Sequence, residues 1–113
     1  MHELSICESI VQTLEKQAET HEFSRVSVLR LEIGQFAGVE VESLRFCFPV
    51  VAEGTLAQDA ALEITHIPAV AWCDDCKWSV SLKERYSSCP DCGGKALTLS
   101  SGEEMRIANV EVD

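Results

Sequence analysis

Long apolar runs and basic residues are both scarce in this 113-residue chain. No segment approaches the roughly 18 consecutive apolar residues of a membrane span, which excludes a transmembrane anchor and a membrane partner. Nine basic residues face 19 acidic ones, for a formal net charge of -10. Such a surface repels phosphate backbones, which argues against nucleic acid, and it tolerates cationic ligands and basic partner surfaces. No basic residue precedes Lys16, and Glu3 and Glu8 make the start acidic, unlike a secretory leader; the expected location is cytoplasmic. The length leaves no room for a large enzyme core. Adjacent motifs hold no serine, histidine and carboxylate set, so a hydrolase finds no support.

Cysteine, by contrast, is abundant. Four of the six cysteines form two pairs, CDDC at 73–76 and CPDC at 89–92. Without an export signal this pattern favours metal ligation over disulfides. Each two-residue gap lets a pair wrap one cation, and twelve intervening residues allow a short hairpin. Cys73, Cys76, Cys89 and Cys92 are therefore the expected tetrahedral site for Zn²⁺, with iron as the competitor that sulfur geometry does not separate. Between Cys73 and Gly94 only Trp78, Val80, Leu82 and Tyr86 offer apolar bulk, so metal binding must supply folding energy there. A closed four-thiolate shell has no open position for catalysis. The basic residues Lys77, Lys83, Arg85 and Lys95 are balanced by Asp74, Asp75, Glu84 and Asp91, which leaves no face for phosphate.

The rest of the chain alternates helix and strand patterns. Leu4, Cys7, Val11, Leu14 and Ala18 recur at helical spacing, widened by Ile6 and Ile10. They predict a helix from near Ser5 to about Thr20, with Ser5 and Glu8 as a capping box. RVSVLRLEIG, 25–34, reads as a strand whose apolar parity changes near Val28. Residues 39–52 predict a second helix that Pro49 kinks or ends at Phe48. ALEITHIPAVAW, 61–72, reads as one strand with Pro68 at an edge or exit. EMRIANVEVD closes the chain as another strand, with a similar parity change between Ile107 and Val110. Cys7, Cys47 and His66 read as packing or surface residues, not ligands.

The amino end, MHEL, offers a second chelate by its own chemistry. A cation on the His2 imidazole has the Met1 amine and the intervening amide within reach, with Glu3 supplying a carboxylate or orienting the ring. Nitrogen-rich, nearly planar sites suit Ni²⁺ or Cu²⁺. Spacing alone leaves two readings open here, a metal site and a pair of solvated residues.

MHEL, the strand ending EIG at 32–34, FCFPVVAEGT at 46–55 and the two CxxC pairs before a final strand together resemble the HypA/HybF family of hydrogenase maturation proteins. The resemblance covers essentially the whole chain. It implies an α+β fold: two helices packed on a small mixed three-stranded sheet, with an inserted four-cysteine zinc ribbon. The implied division is a nickel-binding domain over 1–71 plus 95–113 and a ribbon over 72–94. It further implies a non-enzymatic nickel metallochaperone that delivers Ni²⁺ to the immature large subunit of [NiFe]-hydrogenase, working with the GTPase HypB and in some organisms serving urease maturation. Nickel then falls on Met1, His2 and Glu3, and structural zinc on Cys73, Cys76, Cys89 and Cys92. The rival classes are a zinc-ribbon module that binds protein or nucleic acid and a rubredoxin-like electron carrier.

Overall fold

The computed structural model describes residues 2–113. In chain order the elements are α1 (His2–His21), β1 (Val26–Gly34), α2 (Val41–Ala52), β2 (Ala61–Ile67), β3 (Val70–Cys73), β4 (Trp78–Ser81), β5 (Leu97–Ser101) and β6 (Met105–Val112). The chain divides into two compact units: residues 2–31, 39–64 and 107–113, and residues Glu32–Gly38 with Thr65–Arg106. The two helices pack on a small mixed three-stranded sheet of order β2-β1-β6. The strand directions follow from the bonds. Arg30 binds Glu63, and Gln35 N donates to Ile67 O at 2.8 Å, so β1 and β2 advance together. Ser27 binds the carbonyl of Glu111 while Gly34 N donates to Glu104 O at 2.7 Å, so β6 runs the other way.

Helix α1 starts earlier than its apolar stripe predicts. Ser5 lies inside it, so the expected Ser5–Glu8 box does not cap its start. The stripe itself is as read: Cys7, Ile10, Val11 and Leu14 are buried. Cys7 is fully buried, with its Sγ 3.8 Å from the carbonyl of Leu44. Burial, reinforced by neighbouring Cys47, raises its thiol pKa to about 11, which keeps it neutral and unreactive. Packing is its role.

Pro49 neither ends α2 nor marks a boundary; the helix runs through it to Ala52. Proline in a helix interior costs about 3 kcal/mol through a lost donor and a clash with the carbonyl four residues back. Here Leu44, Cys47 and Phe48 on one side of it and Ala52 on the other are all buried. Burying a side chain such as Leu or Phe is worth about 1.5–3 kcal/mol, so together these anchors outweigh the proline. Glu53 leaves helical geometry and Gly54 takes φ 76°, which closes the turn as its position predicts.

The reading of 61–72 as one strand is corrected. Pro68 has no N–H with which to continue a ladder, and the segment splits there into β2 and β3, which belong to different sheets. The second sheet, of order β4-β3-β5, is antiparallel throughout; Cys73 pairs with Trp78 on one side and Leu97 on the other. Its core is small, made of Ala69, Ala71, Cys73, Val80, Leu82 and Cys89, with Phe36, Leu97 and Leu99 packed against it. Polar clamps add to it. Gln35 accepts from Ala69 N at 2.9 Å and donates to the carbonyls of Leu82 and Lys83 at 2.9 and 3.2 Å. Arg85 stacks 5.2 Å from the Phe36 ring centre and pairs with Glu103 at 2.6 Å. Gly34, the last residue of β1, is sterically required, because any Cβ there would lie 2.2 Å from the backbone of Gly102.

Candidate metal centre

The two CxxC segments are folded alike. In each, the residue after the second cysteine turns its N–H back to the carbonyl of the first: Lys77 N to Cys73 O and Gly93 N to Cys89 O, both at 2.8 Å. Both of those residues adopt positive φ, 62° at Lys77 and 73° at Gly93. Glycine takes that conformation freely, whereas lysine does so at a cost of about 1–2 kcal/mol, which marks the first knuckle as a constrained turn. Inside it, Cys76 N lies 3.4 Å from Cys73 Sγ, and Gly94 N lies 3.4 Å from Cys92 Sγ. Gly94 is sterically required, since a Cβ would sit 2.7 Å from Asp75 Oδ2 and 3.4 Å from Cys92 Sγ.

These turns bring the four sulfurs of Cys73, Cys76, Cys89 and Cys92 within 4.8 Å of one another. Cys73 and Cys92 are 3.7 Å apart, and Cys76 and Cys89 are 3.8 Å apart. A tetrahedron with Zn–S bonds of about 2.3 Å has edges of about 3.8 Å. The donor set therefore fits one tetrahedral cation with no further ligand. Cys73 and Cys89 are buried, Cys76 is half-buried and Cys92 is exposed.

Its electrostatics also suit a cation. At Cys89, burial pushes the thiol pKa up, but the amides of Cys92 and Asp91 act against it and bring the value down to about 7. At Cys76, burial and the neighbouring sulfurs raise it. A cation held by the sulfurs would displace the thiol protons, because thiolate and not thiol is the ligand. Two exposed indoles hold aspartates of the two CxxC loops: Trp78 Nε1 donates to Asp91 Oδ2 at 2.9 Å and Trp72 Nε1 to Asp74 Oδ1 at 3.1 Å.

The amino-terminal residues stand apart from this cluster. His2 and Glu3 occupy the first turn of α1, His2 exposed and Glu3 half-buried; Met1 lies outside the described residues. Glu3 Oε2 accepts from Glu40 N at 3.2 Å, and that backbone bond is the main cause of its lowered pKa. Glu40 caps α2 in turn, its carboxylate accepting from Glu42 N at 3.3 Å. Reading the sequence does not find Glu40, because glutamate is not among the favoured N-caps. The only signal is an acidic residue immediately before an apolar helical pattern. Cys7, Cys47 and His66 are not part of the four-sulfur cluster. Among the described residues, no helix is long and apolar enough to cross a membrane.

Comparison with known proteins agrees along the full length. A family described as hydrogenase/urease nickel incorporation metallochaperones, HypA, matches residues 1–112. The chain is 51% identical to the hydrogenase maturation factor HypA of Azotobacter vinelandii and 48% identical to that of Rhodopseudomonas palustris strain TIE-1, each over 113 residues and the whole of both proteins. The fold is similar to the solution structure of the Ni metallochaperone HypA from Helicobacter pylori. That likeness has a TM-score of 0.70 at 23% identity, over 97% of this chain and 96% of the other. A second solution structure of a HypA protein gives a TM-score of 0.72 at 24% identity, over 99% of this chain and 96% of the other. The chain therefore belongs to the HypA family of nickel-incorporation metallochaperones, which are carriers and not enzymes.

Proposed function

We propose that this protein binds Ni²⁺ reversibly at its amino end and passes it to the immature large subunit of a [NiFe]-hydrogenase. The single observation that supports this most is the full-length match to hydrogenase maturation factors at 51% identity. In this reading His2, the Met1 amine and the intervening amide bind nickel, with Glu3 beside them. The cargo site belongs to a domain over 1–71 plus 95–113. A ribbon over 72–94 holds structural Zn²⁺ on Cys73, Cys76, Cys89 and Cys92. The GTPase HypB is the partner in delivery, urease maturation is a second destination, and the work is cytoplasmic.

The chemistry of the residues supports separate roles for the two metals. Four thiolates close the coordination sphere of Zn²⁺ and hold it. Nickel on a terminal imidazole and amine has an exposed route for ligand exchange, because His2 is solvent-accessible. Glu3, bonded to Glu40 N, fixes the first turn of α1 to the start of α2, so the cargo is presented from an anchored helix end. The amine and amide release protons on binding, so nickel capture weakens as the medium acidifies.

Nickel titration of three zinc-loaded proteins tests the reading: the native chain, His2→Ala, and a chain extended at its amino end. Both altered forms should lose high-affinity nickel while keeping their zinc. Unchanged nickel stoichiometry and affinity in both would overturn the terminal site. Visible absorption separates zinc from iron at the cysteines, since d¹⁰ zinc is colourless and a ferric thiolate site is not.

A further inference from the structure

The two tryptophans beside the cysteine cluster stand on opposite faces of the second sheet. Trp78 opposes Cys73 across β3 and β4, and directly opposed residues share a face, so its indole lies on the side of the Cys73 sulfur. Trp72 immediately precedes Cys73 in β3, where successive side chains alternate, so its indole lies on the other side. Their bonds differ as well. Trp72 Nε1 reaches Asp74, two residues on, in the same loop. Trp78 Nε1 reaches Asp91 Oδ2 at 2.9 Å, inside the second CxxC pair. That bond crosses from one cysteine loop to the other.

The second loop is the less supported of the two on its leading side. The first is built between paired strands, since Cys73 ends β3 and Trp78 begins β4, and Asp74 N donates to Ala96 O at 3.0 Å. Between Ser81, where β4 ends, and Cys89 the chain forms no strand. We propose that Trp78 is a positioning residue for the metal: its indole N–H, bonded to the Asp91 carboxylate, straps the second CxxC loop to the first hairpin and slows the loss of Zn²⁺ from Cys73, Cys76, Cys89 and Cys92. This role rests on the reading of those cysteines as a zinc site. Cys92 is the exposed ligand, where a competing chelator enters. A second loop free to swing would carry a detached sulfur away from the cluster. A strapped loop keeps Cys92 and Cys89 at 3.7 and 3.8 Å from Cys73 and Cys76, and groups held in their bound arrangement recapture a ligand more readily than groups that must be ordered again. Asp91 also turns its own N–H toward Cys89, so the indole fixes a residue already in contact with a ligand.

Zinc release from the zinc-loaded full chain to excess 4-(2-pyridylazo)resorcinol reads the strap directly. Trp78 is 53% exposed and lies outside the small core of its unit, so the fold stays in place when it is changed. Trp78→Phe keeps a ring and removes the donor, and Asp91→Ala removes the acceptor. Each should speed release about fivefold, the scale of one hydrogen bond to a partly exposed charged group. The double variant should be no faster than either, because both remove the same bond. Asp91→Asn keeps an oxygen acceptor without the charge and should release zinc at a near-native rate. Trp72→Phe, which loses a bond within one loop, should also stay near native. Hydrogen exchange of the Trp78 indole N–H leaves the tryptophan itself untouched: it should be faster in Asp91→Ala than in the native chain. A native release rate in Trp78→Phe, equal acceleration by Asp91→Asn and Asp91→Ala, equal acceleration by Trp72→Phe, a double variant whose effects multiply, or indole exchange indifferent to Asp91→Ala would each overturn the strap while the native chain still carries zinc. A native chain that takes up no zinc would overturn the four-cysteine reading, and the strap with it.

Discussion

The two compact units of this protein are held together by different means. The first, with both helices, buries Leu14, Val26, Leu29, Leu31 and Leu44 almost completely. It carries twelve acidic and four basic residues. The second buries alanines and cysteines around Val80 and Leu82, clamps its loops with Gln35 and Arg85, and carries seven acidic and five basic residues. One unit has a core of its own. The other has small side chains where a core belongs, with four sulfurs spaced for a cation. A chain too short for two full hydrophobic cores has one made of leucine and one built around four sulfurs spaced for a cation.

The comparison breaks most sharply at the cysteines. Cys73→Ser, or zinc removal by a chelator, should unfold the second unit, since structural zinc contributes on the order of 10 kcal/mol. Far-UV circular dichroism should keep the helical signal of α1 and α2 while Trp72 and Trp78 fluorescence changes. Equal loss of both signals would mean that the two units do not differ as described.

Leu44→Ala strikes the other side. It removes a fully buried side chain and should cost about 2–5 kcal/mol in chemical denaturation, with zinc content unchanged in the folded fraction. Zinc lost in proportion to helix would contradict the distinction.

The smallest effect concerns Cys7. Its folded pKa of about 11 lies above the ordinary 9.0. The native state thus keeps its proton after the unfolded chain has lost it. That contribution to stability is full below pH 9 and is lost as pH rises toward 11. The unfolding free energy from denaturant titrations should fall through that window by roughly 2 kcal/mol, and Cys7→Val should flatten the decline. A native chain with no alkaline decline would count against the buried thiol.

Some of this was legible in the residues before any coordinates. The stripe Cys7, Val11, Leu14 and the run Leu29, Leu31, Ile33 are periodic, and periodicity reports burial directly. The parity changes in 25–34 and 105–112 were legible too, but not their meaning. That the second leaves Arg106 and Glu111 on one face depends on which β1 residues they meet. The Ser5 cap failed because α1 runs on in helical geometry to His2, beyond its buried stripe. Pro49 misled because local helix rules do not count the anchors on either side of it. Strand β5 and the second sheet were missed because LTLSS alternates too weakly to stand out. Its burial is only half on every second residue, and its order comes from pairing with β3.

By itself the sequence determined the ligand chemistry, since thiolates in two CxxC pairs select a tetrahedral cation whatever surrounds them. It also determined the acidic surface and the helical stripes, which are local properties of composition and spacing. Only the tertiary structure decided that the four sulfurs stand at tetrahedral separations, that Glu3 meets the start of α2, and where the chain changes sheets. Those facts join residues distant in sequence, and a contact across such a distance is set by the packing of whole elements, which no local pattern encodes.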